Sequence, residues 1–194
     1  MASGAGGSED GLLKPTARPG ATARAGGLGG AALASRDTAG FTVSTPAGPR
    51  KVQVTRNACA PLAHALSGTT VGKPASTVVR EASGEGATVT VVLAEYASDE
   101  AQMAMDAIAT ALDECAAGFT ATVDGDEHKV GEVAPEIAPE GTDQAMGVGA
   151  TVERAGKKEP AKALILRSGT TVAYLSGTPS IPTAVVDAQL VKLR

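Results

Sequence analysis

Aromatic residues are nearly missing from this chain, whose 194 residues include two Phe, two Tyr and no Trp. Its core must therefore be assembled from small aliphatic side chains, at about 1.5–3 kcal/mol for each fully buried Val or Leu, without the larger area an aromatic adds per site. Cysteine is scarce too, with two in all, so the C-x-x-C knuckle that makes zinc spacings specific is excluded. No run approaches the ~20 apolar residues that a membrane-spanning helix needs. Basic residues are outnumbered, 17 Lys plus Arg against 21 Asp plus Glu, and are scattered along the chain. With neither a basic stripe nor interleaved aromatics, nucleic acid is not an expected partner.

The motifs of catalysis are missing as well. There is no Gly-x-Ser-x-Gly elbow, and no Ser-x-x-Lys opens a predicted helix. Gly68-Thr-Thr-Val-Gly72-Lys73-Pro74 looks like a phosphate loop, but it has three residues between the glycines instead of four. Pro74 also stands where Ser or Thr would hold Mg²⁺, and the segment follows a helix instead of preceding one. GGLGG at 26–30 has no strand before it and fails the dinucleotide fingerprint. The acids Asp124, Asp126 and Glu127, then Glu132, Glu136 and Glu140, lack the alternating ligands and closing Glu of a calcium loop, so they read as solvated. No cofactor, metal or catalytic residue is expected.

What is present suits one domain behind a tail. Residues 1–27 mix Gly, Pro, Ala and Arg without periodicity, the composition of a flexible linker, and 28–194 carry the domain. After a helical turn near 31–35, strands are predicted at 41–44, 51–55, 77–82, 87–96, 119–123, 129–133, 145–153, 163–167 and 170–175, separated by Ser-Gly, Asp-Gly and Pro-Glu turn signals. The last three read as a meander, and glycines along one face of 144–154 predict close cover or a bulge there. Helices are predicted from Asn57, as N-cap, through Ser67; from Ser98, as N-cap, to about Ala116; and after Ile181-Pro182, with Val186, Leu190 and Leu193 inward. This order gives an α+β fold, a central and mainly antiparallel sheet with two main helices packed on it.

Cys59 shares a helix face with Leu62 and Leu66, and Cys115 shares one with Met105, Ile108 and Leu112, so both cysteines face inward. Three readings stand: a disulfide, two buried thiols, or a zinc site completed by His64 and His128. Spacings of four and twelve residues argue against zinc, and the disulfide, which places the protein outside the cytoplasm, is favoured. His64 is expected to be half-buried or exposed on its short helix, and His128, in the charged turn DGDEHK, to be solvated.

Several segments together carry a resemblance. Cys59-Ala-Pro-Leu-Ala, VVREA, TVTVVLAEYASDEA, the helix end ALDECAAGFT, LRSGTTVAYL and PTAVVDAQLVKL resemble the secreted sensor-like lipoproteins of actinobacteria. That group is similar in pattern to the PknH-like extracellular sensor domains of mycobacterial Ser/Thr kinases. The resemblance, over Leu28 to Arg194, implies an α+β domain with a central antiparallel sheet, two main helices, a cysteine bridge to the central helix and a cleft for a small ligand. The kinase sensor domain has four cysteines, so one of its bridges has no counterpart here. The whole protein is then expected to be secreted or lipid-anchored at the outer membrane face after loss of a leader, with 1–27 as tether and no other membrane attachment. The function expected is a non-enzymatic extracytoplasmic ligand-binding or sensor-like domain, its partner an unknown small ligand or envelope protein. The alternative is a cell-envelope interaction or scaffold domain, and a hydrolase without a recognisable motif ranks third. No ligand-binding residue is assigned.

Overall fold

The computed structural model describes residues 27–194; the expected linker, apart from Gly27, lies outside the described residues. Nine strands form one sheet: β1 (Thr42–Ser44), β2 (Val52–Val54), β3 (Ser76–Gly84), β4 (Ala87–Glu95), β5 (Phe119–Val123), β6 (Asp126–Glu136), β7 (Gln144–Arg154), β8 (Lys157–Ser168) and β9 (Thr171–Thr178). Their spatial order is β1-β3-β4-β9-β8-β7-β6-β5-β2, and every neighbouring pair is antiparallel. Four α-helices accompany them: α1 (Gly27–Ala31), α2 (Ala60–Leu66), α3 (Glu100–Glu114) and α4 (Thr183–Leu193). The fold is α+β.

Local chemistry sets the hairpins. Glu85-Gly86, Asp124-Gly125 and Ala155-Gly156 are two-residue turns in which both residues have positive φ, the geometry whose twist matches that of paired strands. The turns at 124–125 and 155–156, the one after Ser168 and the longer link 137–143 between β6 and β7 make a meander from β5 to β9, longer than the three strands expected. β9 then returns to pair with β4, Tyr174 opposite Val92. The glycine face of β7 is closely covered, as its sequence suggests: a Cβ at Gly149 would lie 2.4 Å from Glu136 Oε1. β6 itself is irregular between Gly131 and Ala134.

Alternation along the central strands feeds two cores. Val92, Ala94, Ile165 and Tyr174 face α2 and α3, while Val91, Leu93, Leu164, Leu166 and Leu175 face α1 and α4. The helices are thus divided between the two faces of the sheet. Four differences from expectation are local. Asn57 opens a 3-10 turn (Asn57–Cys59) and makes no side-chain cap; α2 starts after it, with Cys59 in the capping position and Pro61 in its first turn. Ser98 has φ of +22°, outside the extended region an N-cap uses, so α3 is preceded by Asp99 and has no side-chain cap. On α4 it is Val185, with Leu190 and Leu193, that is fully inward, and Val186 is half-buried, because the helix starts at Thr183. The turn expected at 31–35 is split into α1 and a 3-10 turn over Ser35–Asp37.

One connection shapes the whole sheet. β1 and β2 lie at opposite edges yet are joined by residues 45–51 alone. Flat, nine strands would separate those edges by roughly 38 Å. The eight links from Ser44 to Val52 span at most about 29 Å. The sheet must curl, and it curls around α2 and α3, leaving 45–51 as a strap across the mouth of a trough.

Inside the trough Cys59 and Cys115 are bonded, with Cα atoms 5.9 Å apart, a normal disulfide span. The bridge fastens the turn before α2 to the end of α3, and both sulfurs are fully buried. It closes a loop of 56 residues' separation. In the chain-entropy model that contributes about 4 kcal/mol. Reduction should therefore lower the melting temperature by several degrees or more and raise the intact mass by two hydrogens, measured by calorimetry and mass spectrometry. An unchanged melt after the mass shift would show the bridge to be idle.

Candidate functional site

The helices fill only part of the trough. Beyond the C-terminal end of α2 the inward face of the sheet turns polar: after Val92 and Ala94 the same side of β4 presents Thr90 and Thr88, and after Val172 and Tyr174 the same side of β9 presents Ser176 and Thr178. A groove of about 530 Å³ lies over these hydroxyls, and its far wall is formed by His128 of β6, Val152 and Arg154 of β7, and Glu159 of β8. A second lobe of about 280 Å³ lies beneath the strap residues Pro46 and Pro49, with His64, Thr77 and Glu81 on its other sides. Arg50, the last strap residue but one, and Thr90 belong to both lobes. The strap is held at that end by Asp124: Lys51 N–H donates to its Oδ1 at 2.8 Å, and Asp124 N–H donates back to Lys51 O.

The inner wall is the end of α2 and the loop 67–75, and it is firmly fixed. Ser67 N–H donates to Ala63 O and Thr69 N–H to His64 O, while Ser176 Oγ donates to Leu66 O from the groove floor. The loop is then clamped by both tyrosines of the chain. Tyr96 Oη donates to Val71 O at 2.6 Å, Tyr174 Oη lies 2.6 Å from Tyr96 Oη, and Val71 N–H donates to Tyr174 Oη. Burial, with each phenol beside the other, holds the Tyr96 hydroxyl far above the ordinary tyrosine range, and burial raises Tyr174 too. Both therefore stay neutral and act as hydrogen-bond bridges. The segment that looks like a phosphate loop, Gly68 to Pro74, is this loop, and its role is to form a wall.

The four residues weighed as a zinc set are not brought together. The two sulfurs are bonded to each other, so neither is available as a thiolate ligand. His64 is half-buried, as expected, with Nδ1 2.7 Å from Thr69 Oγ1. Thr69 Oγ1 donates to His64 O, so the ring and the hydroxyl close one turn, and among the described residues no carboxylate is bonded to the ring. His128 departs from expectation. It is no turn residue but lies on β6 opposite Ala121 and Arg154, half-buried against the groove, because β6 begins at Asp126. Burial lowers its pKa; Arg154 and Arg50 lower it further, while Asp126 and Asp124 act in the opposite sense. Of the acids weighed for calcium, Asp124 and Asp126 stand at the β5–β6 turn, whereas Glu136 pairs with Lys162 at 2.7 Å. Among the described residues no three potential metal ligands cluster. Arg50, Arg154, Thr90 and Ser176 were not singled out from the sequence. For Arg154, Thr90 and Ser176 the available signal is parity, since each is a polar residue on the inward side of a strand, in register with core residues; Arg50 lies on the strap and has no such signal.

No sequence-family model matches the chain, and no curated protein sequence does. Among solved structures, the extracellular domain of PknH from Mycobacterium tuberculosis superposes with a TM-score of 0.52 at 14% identity, covering 86% of this chain and 92% of that one. The chain resembles the PknH extracellular domain in fold. An uncharacterised protein from Mycobacterium smegmatis also matches, with a TM-score of 0.43 at 14% identity, over 80% of this chain and 90% of that one. The likeness in fold to PknH agrees with the resemblance seen in the sequence. Among the described residues no helix is long and apolar enough to cross a membrane.

Two measurements test the site's construction. Tyr174→Phe leaves Val71 N–H without its acceptor in a buried place, so it should cost about 1–3 kcal/mol in denaturant unfolding. A neutral result would remove the clamp. His64 has its pKa lowered by burial. Its unfolded form thus binds protons more tightly, and the stability it contributes is full above the unfolded value of about 6.5 and is lost as pH falls through the folded one. The melting temperature should decline as pH drops below 6.5, and less steeply in His64→Gln. Parallel curves for the two proteins would refute this.

Proposed function

We propose that this chain is a non-enzymatic, extracytoplasmic sensor-like domain that binds a small polar ligand in the two-lobed groove between the end of α2, the strap and the sheet. The observation that carries the proposal is the change in the inward face of β4 and β9 from Val92 and Tyr174 to Thr88, Thr90, Ser176 and Thr178, where a core gives way to a concave surface of hydroxyls. Polar groups converging on a walled hollow are how a fold holds a small molecule in one orientation. The disulfide supports a location outside the cytoplasm, where such bonds persist. The shared fold with the PknH extracellular domain supports a sensor-like role, in a secreted or lipid-anchored protein, over a hydrolase or an envelope scaffold. Among the described residues, His64 and Thr69, the one hydrogen-bonded ring–hydroxyl pair bordering the groove, are turned on each other and are not arranged as base and nucleophile.

The test is an NMR screen of neutral sugars, amino acids and phosphate esters against the wild type and Thr88→Trp, in which an indole on an exposed strand position would fill the groove. At least one compound should shift the amides of Thr88, Thr90 and Ser176 saturably, and the shifts should disappear in a Thr88→Trp protein that melts normally. If no compound moves those amides, or if the variant responds as the wild type does, the reading fails.

A further inference from the structure

The chain carries a net charge of -4, yet its groove collects cations. Arg50 reaches it from the strap, Arg154 from the end of β7, Lys157 from the start of β8, and His128 from β6 between them. Lys157 is paired with Glu159, the one carboxylate in the wall of the larger lobe. Arg50 and Arg154 make no ion pair within 4 Å and no side-chain hydrogen bond among the described residues, although Arg154, after Lys157, stands near enough to Glu159 to help hold its carboxyl down and shares a neighbouring hollow with Asp126, Glu127 and Glu153, and both arginines oppose the protonation of His128. Two like charges thus approach a half-buried ring without a carboxylate bonded between them. Asp124, the nearest acid to the strap, is already engaged with Lys51 N–H. Glu81 lies in the smaller lobe.

The acceptors that might have answered these cations are also satisfied. The last carbonyls of α2, from Ala63 to Leu66, accept from Ser67, Thr69, Gly68 and Ser176, so the helix end presents no free oxygen to the groove. What remains is a surface of donors: two guanidinium forks across the mouth and the hydroxyls of Thr88, Thr90 and Thr178 beneath them. Guanidinium forks match oxyanions bidentately, and hydroxyls supply further donors.

We infer that the groove is a site for a phosphate-class oxyanion, a free phosphate or diphosphate or the phosphate of a larger molecule, clamped between Arg50 and Arg154 over the hydroxyls of β4 and β9. A phosphate group carries about -1.5 to -2 at neutral pH, a charge that two guanidinium groups without a close ion pair can answer. The strap has a direct part in this, since Arg50 is one jaw of the clamp and the hydroxyl floor is the other side of the site. The inference rests on the groove being the ligand site and adds the chemical class of what enters it.

Inorganic pyrophosphate is the probe, titrated at constant ionic strength with NMR and calorimetric detection. Saturable binding should shift the His128 ring protons and the Thr90 and Ser176 amides. Arg154→Gln and Arg50→Gln, both at exposed positions, should each weaken it at least tenfold and together abolish it, while Arg36→Gln, outside the groove, should leave it unchanged. Vesicles containing phosphatidylglycerol form a second arm. Sedimentation with them that depends on Arg154 assigns the oxyanion to a lipid headgroup, and pyrophosphate binding without sedimentation assigns it to a soluble ligand; either result supports the inference. Equal losses in Arg36→Gln and Arg154→Gln, or none in the double variant, overturn it. If neutral compounds bind the groove and pyrophosphate does not, the anion inference falls while the ligand-site reading stands; if nothing binds there, both fall.

Discussion

The constraint on which the rest depends is the shortness of the chain between the two edge strands. Seven residues, 45–51, join β1 to β2 across a nine-stranded sheet, and they can do so only because the sheet is bent into a trough. Strand twist supplies the tendency to coil, and the meander from β5 to β9, returned against β4, supplies the width. Once the sheet is curled, its two faces are no longer equivalent. The convex face accepts α4 and α1 over Leu164, Leu166 and Leu175. The concave face accepts α2 and α3, which are too short to fill it.

The groove is therefore a remainder, the part of a curved surface that two stapled helices do not reach. This explains why its walls are so well fixed for a polar surface. α2 is fastened by the Cys59–Cys115 bond at one end and by Ser176 at the other, and the loop after it is held by Tyr96 and Tyr174. A chain poor in aromatics and built on Ala and Val has placed its two phenols and its one cross-link around this helix. Such a distribution spends the strongest local restraints where the core changes into a cavity, the place where packing alone would hold least.

Much of the fold was legible in the sequence for simple reasons. The Ser-Gly-Glu-Gly cluster at 83–86 and Asp-Gly at 124–125 are strong turn signals, whereas Ala155-Gly156 carries none as clear, so the expected strand at 163–167 misses the start of β8 at Lys157. The inward spacing of Cys59 with Leu62 and of Cys115 with Ile108 placed two sulfurs on helix faces that can meet. Element ends were less legible, because Asn57 and Ser98 are good caps by type and the path of the chain, not the residue, decides whether a cap forms. The curl was not legible at all: it follows from β1 and β2 lying at opposite edges, a long-range pairing that no local pattern records. For the same reason His128 looked like a turn residue. Only the pairing of β6 with β5 and β7 places it beside Arg154, and only the strap brings Arg50 to that spot.

The tyrosine clamp has an optical consequence. With no Trp in the chain and its only two Tyr hydroxyls 2.6 Å apart, the near-ultraviolet absorption of tyrosine and its circular dichroism arise from one location, the point where the loop after α2 meets β4 and β9. Most proteins average such signals over the whole molecule. Here the spectrum is a local gauge, in effect a built-in reporter on the wall of the groove.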